Sequence, residues 1–297
     1  MSTILQSPPV DARSDPNRLR QRSRRTKPVW RVLGYVTLAV AAAAVLVPFY
    51  WMAMSSLKTN NEVFAVPVQW FPKSAVWHNY VNIWRKADMS TWLGNTLLVS
   101  SAVTILQVLT GSFAAYGFAK VRFPGRNALF LAYVGTIAVP WQSYMIPQFV
   151  LMSKLHLSDT LWSIVALQAF SAFGVFLMKQ YYESIPDELL DAARIDGMSE
   201  YGIYRRIMLP LSVPALASLT LLTLAITWND YLGPLLYLRS PHLWTIQLGL
   251  RSFINQYNAE YALIMTGSVL SVLPIALIFL AGQRYFVEGI ATTGLKG

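Results

Sequence analysis

Six stretches of this chain are predominantly apolar for about 20 residues or more, and no other feature limits the fold as much. They run over about 30–54, 91–118, 128–152, 161–182, 211–231 and 261–281. Lipid hydrocarbon offers no hydrogen-bond partner, so a segment crossing it must satisfy its own amides, and a helix of about 20 apolar residues does so. The expected architecture is therefore an all-α polytopic membrane protein with six transmembrane helices. Composition agrees: 55% of the 297 residues are hydrophobic and 13% charged, against about 45–50% and about 25% in soluble domains. Pro140 and Pro147 interrupt the third run, Pro214 the fifth and Pro274 the sixth, and kinks are expected there.

The formal charge of +10 needs to be located before it is interpreted. With the N-terminus in the cytoplasm, residues 1–31, 119–127, 179–210 and 282–297 hold 17 of the 24 Lys and Arg. By the positive-inside rule both termini are then cytoplasmic, and the 55–90 and 232–258 loops lie outside. The basic excess is thus a topology signal and calls for no nucleic-acid partner. Residues 1–29 carry seven Lys and Arg among Ser and Pro, the composition of a disordered basic cytoplasmic tail. The apolar run that follows is too long for a cleaved signal peptide, so 30–297 is read as one six-span membrane domain. In the 55–90 segment Trp70, Trp77, Tyr80 and Trp84 fit either an interfacial aromatic belt or a surface packed on a partner.

Several chemistries are missing. The chain has no cysteine, which removes disulfides and thiolate sites. It has no Gly-Lys dipeptide, no G-x-G-x-x-G and no H-E-x-x-H, so it is not expected to hydrolyse nucleotide alone or to bind a cofactor itself. His78, His156 and His242 lack metal-ligand spacing. Acidic residues are nearly absent from the six runs, which counts against a stand-alone ion-coupled carrier. A six-span membrane enzyme, the other alternative, would need titratable groups clustered at one depth, and none is visible.

The most informative segment is the cytoplasmic loop between the fourth and fifth runs. Asp187 and Glu188 follow Pro186, where they complement the positive end of a helix dipole, and Gly197 can stop that helix. Ser199 then fits an N-cap for a second helix running to Leu209-Pro210. A helix–turn–helix elbow is expected, with Ala192 and Ala193 as small side chains that let another protein's groove approach. By physics alone the same loop could also lie flat on the membrane surface.

Asp191-Ala192-Ala193, Asp196-Gly197, Ile207 and Leu209-Pro210 resemble, in type and spacing, the EAA loop of ATP-binding-cassette (ABC) importer permeases, with Asp191 in place of the usual Glu. Trp228-Asn229-Asp230-Tyr231 is similar to the stretch that ends the fifth span in carbohydrate-uptake permeases. The ending, from Gln283-Arg284 to Gly294-Leu295-Lys296-Gly297, resembles the C-terminal tail of the maltose-type second permease. The resemblance implies a type I ABC importer permease fold in a bacterial or archaeal cytoplasmic membrane. Within 30–297 it makes 187–210 the coupling loop and 282–297 a cytoplasmic C-terminal tail. It also implies the partners: a second permease subunit, an ATP-binding-cassette ATPase dimer carrying ATP-Mg, an extracytoplasmic solute-binding protein, and membrane lipid. Asp191, Ala192, Ala193, Asp196, Gly197, Ile207, Leu209 and Pro210 would then couple to the ATPase, and the cargo would be a sugar or oligosaccharide, with glycerol phosphodiesters in the same family.

Asn229 and Asp230 leave two readings open. They either cap the span beside Trp228 and Tyr231 at the interface or turn inward along the substrate path. The 232–258 loop, with Arg239, His242, Trp244, Gln256 and Tyr257, resembles the segment that reaches toward the binding protein, and its aromatics also fit a membrane belt.

Overall fold

The computed structural model describes residues 28–254 and 260–294, with side chains over 32–254 and 260–284. The chain divides at Tyr50 into two compact units, residues 1–50 and 51–297. What is described of the first is α1 (Pro28–Ser56) as far as Tyr50. Between Val32 and Tyr50 it exposes apolar side chains all round, the pattern of a helix whose surroundings are themselves apolar. Of the basic tail expected at 1–29, residues 1–27 lie outside the described residues, and its last two positions already belong to α1.

After the last residues of α1, the second unit has two short helices, α2 (Asn60–Val63) and α3 (Asn79–Lys86), followed by the 32-residue α4 (Met89–Lys120). The third apolar run is two helices, α5 (Arg126–Gly135) and α6 (Met145–Lys154), so the kink expected in it is a full break. Pro140 has no amide hydrogen to donate and forces the preceding residue out of the helical region. Val139 accordingly takes ψ 111°, and only 3-10 turns at Thr136–Ala138 and Trp141–Ser143 bridge the gap. Pro147 causes no break, because it falls in the first turn of α6, where its missing donor would have had no helical partner.

The fourth run is α7 (Leu161–Gln168) and α8 (Ala172–Glu183), one 23-residue span interrupted at 169–171. The carbonyls freed by the interruption are met from α4. Gln107 Nε2 donates to the Gln168 carbonyl at 2.7 Å, and Thr110 Oγ1 to that of Ala169 at 3.1 Å. Ser171 caps the restart by accepting from the Gly174 amide at 3.1 Å.

Beyond α8 come α9 (Asp187–Ile195), α10 (Glu200–Ile203), a π turn at Tyr204–Met208 and α11 (Leu209–Leu211). The chain then bends by 77° into α12 (Val213–Trp228). Pro214 lies in the first turn of α12, so it starts the fifth span and does not kink it. Two short helices, α13 (Leu232–Tyr237) and α14 (Ile246–Arg251), precede α15 (Tyr261–Gly294), which continues through Pro274. The segment expected as a C-terminal tail is thus helical as far as Gly294. Among the described residues four helices are long and apolar enough to cross a membrane, or five if the bent pair counts as one span.

Within this unit α4 is central, with α7, α8, α12 and α14 against it and α15 packed on α12. Its buried contacts fall in zones along its length. Tyr116, Met178, Tyr182, Leu190 and Met208 gather near its C-terminus. Val99, Val103, Ile164 and Tyr237 gather toward its N-terminus, and Trp92 joins Ile83, Ile246 and Leu263 at the far end. Several hydroxyls inside the spans bond back to their own helix, as Thr96 does to Trp92, Ser218 to Pro214 and Thr227 to Thr223, which satisfies these donors where they are buried.

Candidate functional site: a braced elbow at the end of α4 and a cavity beside its middle

The elbow forms because its sequence closes each helix end locally. The acidic pair Asp187 and Glu188 occupies the first turn of α9. At the other end the Met198 amide donates to the Ala193 carbonyl and the Gly197 amide to that of Arg194, both at 3.0 Å. This is the Schellman closure, and it needs the left-handed φ of +79° that Gly197 supplies. Ser199 accepts from the Gly202 amide at 3.2 Å and so caps α10, as its position in the sequence suggested.

Ion pairs then tie the elbow to α4. Lys120, whose side chain is 4% exposed, donates to the Ile185 carbonyl at 2.7 Å and to Asp187 Oδ1. That hydrogen bond holds the Asp187 carboxyl below the usual carboxylate range. Arg194 spans the two arms, reaching Asp191 at 2.7 Å and Glu200 at 2.8 Å. These two acceptors raise its already high pKa. Tyr116 of α4 donates to the second oxygen of Glu200. The loop therefore stands on the end of α4 as one braced piece.

Most of the expected coupling residues come together here, with one change of face. Asp191, Ala192, Asp196 and Gly197 are exposed on the elbow, and Pro210 is exposed beyond it. Ala193 does not present itself outward as expected. It is 6% exposed and packs into the cluster of Tyr116, Tyr182 and Met208, because it lies one turn from Leu190 on the inward stripe of α9. Ile207 and Leu209 pack partly against the same cluster. The outward apolar positions are Leu189, 45% exposed, and Ile195, 86% exposed, neither of which the sequence reading singled out. Spacing of i, i+3 and i+6 along 189, 192 and 195 was the available signal.

Asp230 lies beyond the elbow, near Gln107 in the middle of α4. Trp228 is 2% exposed and donates to the Ser271 carbonyl at 3.1 Å. Asn229 turns back on its helix, donating to the Ala225 carbonyl at 2.8 Å. Asp230 turns inward, accepting from Gln168 Nε2 at 2.8 Å and from the Gly233 amide at 3.1 Å. Both residues line a cavity of about 550 Å³ together with Gln107, Trp141, Gln148 and Phe170. Glutamines inside apolar runs were the sequence signal for this cavity.

In the 232–258 loop, Trp244 packs beside Trp92 at 6.2 Å, while Arg239 and His242 are exposed. Asp159 receives the Arg239 and Ser240 amides at 2.7 and 2.9 Å, which fixes this loop to the α6–α7 turn. Gln256 and Tyr257 lie outside the described residues.

Known proteins resemble the chain over most of its length. The arabinooligosaccharides transport permease protein AraQ of Halalkalibacterium halodurans is 34% identical over 277 residues, covering 92% of this chain and 99% of that protein. The lactose transport permease protein LacG of Rhizobium radiobacter is 32% identical over 259 residues, covering 87% and 94%. A solved bacterial ABC transporter that imports the acidic polysaccharide alginate matches with a TM-score of 0.77 at 25% identity, over 88% of this chain and 98% of that one. Residues 107–292 match the model of the binding-protein-dependent transport system inner membrane component. That match takes in both the elbow and the cavity, and the chain belongs to this family of ABC transporter permeases.

Proposed function

We propose that this chain is one half of the translocation path of a sugar importer, in a six-span arrangement whose third span is the pair α5 and α6. A second permease completes the path, an ATPase dimer drives it and an external solute-binding protein delivers the cargo. The elbow braced on α4 is the observation that carries this reading. A segment merely lying on a membrane surface needs no buried lysine and no arginine bridging its arms, whereas a lever does. Closure of the ATPase dimer on ATP draws the seated elbow inward. Lys120, Arg194 and the buried cluster pass that displacement to α4 and α8, and the bend at Ser212 lets α12 follow. ATP-Mg stays on the partner.

The test is purification of the tagged chain from native membranes, followed by reconstitution. An ATP-binding-cassette ATPase and a second permease should accompany it, and uptake should require both ATP and the binding protein. A chain that purifies alone, or uptake that continues without ATP, would refute the reading.

Orientation is tested separately. Cysteines placed at Ser74 and Ser252, both exposed, should react with an impermeant thiol reagent in intact cells, and one at Ser199 should not. Labelling of Ser199 alone would invert the topology.

A further inference from the structure

The cavity beside Asp230 carries a second inference, which rests on the importer reading. Its volume of about 550 Å³ falls within the range of small-molecule sites, about 300–1,000 Å³. Trp141, Tyr144 and Phe170 supply aromatic faces to its wall, and Gln148, Gln168 and Asp230 supply polar groups. Among the described residues, none that lines it is Lys, Arg or His.

The polar groups are held in place from behind. Asp230 takes one bond on each carboxylate oxygen, from Gln168 and from Gly233, which leaves further acceptor capacity on both. A Cβ on Gly233 would stand 2.5 Å from Asp230 Oδ2, so glycine is what allows this close approach. The Gln148 oxygen accepts from Trp141 Nε1 at 2.8 Å and from the Tyr237 hydroxyl at 3.4 Å. Its amide nitrogen keeps two donors that have no partner among the described residues.

We propose that this cavity is a saccharide subsite on this chain and that it selects neutral sugars over anionic ones. Hydroxyls donate to the Asp230 carboxylate and accept from the Gln148 amide, while the C–H face of a sugar ring lies against Phe170 or Trp141. An acidic sugar would bring its own carboxylate toward Asp230 with no cation among the described lining residues to offset the repulsion between like charges.

The test is equilibrium dialysis of labelled lactose, arabinotriose and digalacturonate, at millimolar concentration, against the purified complex without its binding protein. At least one neutral probe should be retained at least tenfold more than digalacturonate. Phe170→Ala, at a residue 69% exposed and therefore safe for folding, and Gln148→Ala should each reduce that retention about tenfold. Asp230→Asn should narrow the gap between neutral and acidic probes, and Trp162→Ala, exposed and outside the cavity, should change nothing. Equal retention of digalacturonate, retention of no probe, or retention indifferent to Phe170 and Gln148 would overturn the subsite. If ATP-driven uptake by the reconstituted wild type proceeds while dialysis fails, the subsite alone falls. If that uptake is absent, the importer reading falls and takes the subsite with it.

Discussion

Replacing Ile195 with Asp is expected to weaken binding of the ATPase subunits at least tenfold while the chain still folds and inserts. Ile195 is 86% exposed at the outward end of α9, so the substitution disturbs no packing within the chain. Burying an isoleucine side chain contributes about 1.5–3 kcal/mol, and a tenfold change in affinity corresponds to about 1.4 kcal/mol. A carboxylate at that position would also have to be desolvated on docking. Biolayer interferometry with the purified ATPase measures the effect. Ala193→Asp makes the contrast, because Ala193 is 6% exposed in an apolar cluster. A charge buried there without a partner costs on the order of 3–5 kcal/mol, so the yield of folded chain should fall first. If Ala193→Asp folded normally and Ile195→Asp bound the ATPase as the wild type does, α9 would be seated by another face and the proposed contact would be wrong.

Lys120→Met is expected to uncouple hydrolysis from uptake. The side chain keeps its volume but loses the donor to the Ile185 carbonyl and to Asp187. Stranding that carbonyl costs about 1–3 kcal/mol. Asp187 is 64% exposed and is solvated once released, so it adds little to that cost. Hydrogen exchange over 185–195 should rise, and uptake per ATP hydrolysed should fall several-fold, with the spans otherwise intact. The pH dependence has a definite sign. The Asp187 carboxyl is held below its usual value, so its contribution is present above the unfolded carboxylate range of about 4 and is lost as pH falls below that. In Lys120→Met this acid-side loss should shrink, which amide exchange at pH 3–7 would detect. Unchanged exchange and coupling would mean that the elbow is held by apolar packing alone.

Local sequence set the helix ends within the elbow. Asp187 and Glu188 at a helix start, Gly197 at a left-handed closure and Ser199 at a cap all act through backbone groups within five positions, so their geometry is independent of the rest of the chain. The apolar runs likewise determined a helical membrane protein, since a span must satisfy its own amides wherever it lies. Pro140 was legible as an interruption, but hydropathy alone could not say that it would end the helix outright, because prolines inside long apolar helices, such as Pro274 in α15, are tolerated. Other features were set by tertiary structure. Which face of α9 turns inward depends on Tyr116 and Tyr182, contributed by α4 and α8, and so Ala193 is buried while Ile195 is free. The ammonium of Lys120 finds the Ile185 carbonyl 65 positions away, and the Asp230 carboxylate meets Gln168 62 positions away. A side chain's rotation about its helix is chosen by what packs against it, and long-range partners exist only once the helices are assembled. The sequence by itself therefore determined the class of fold and the turn of the elbow, while only packing decided which side chains stay exposed and which meet in the cavity.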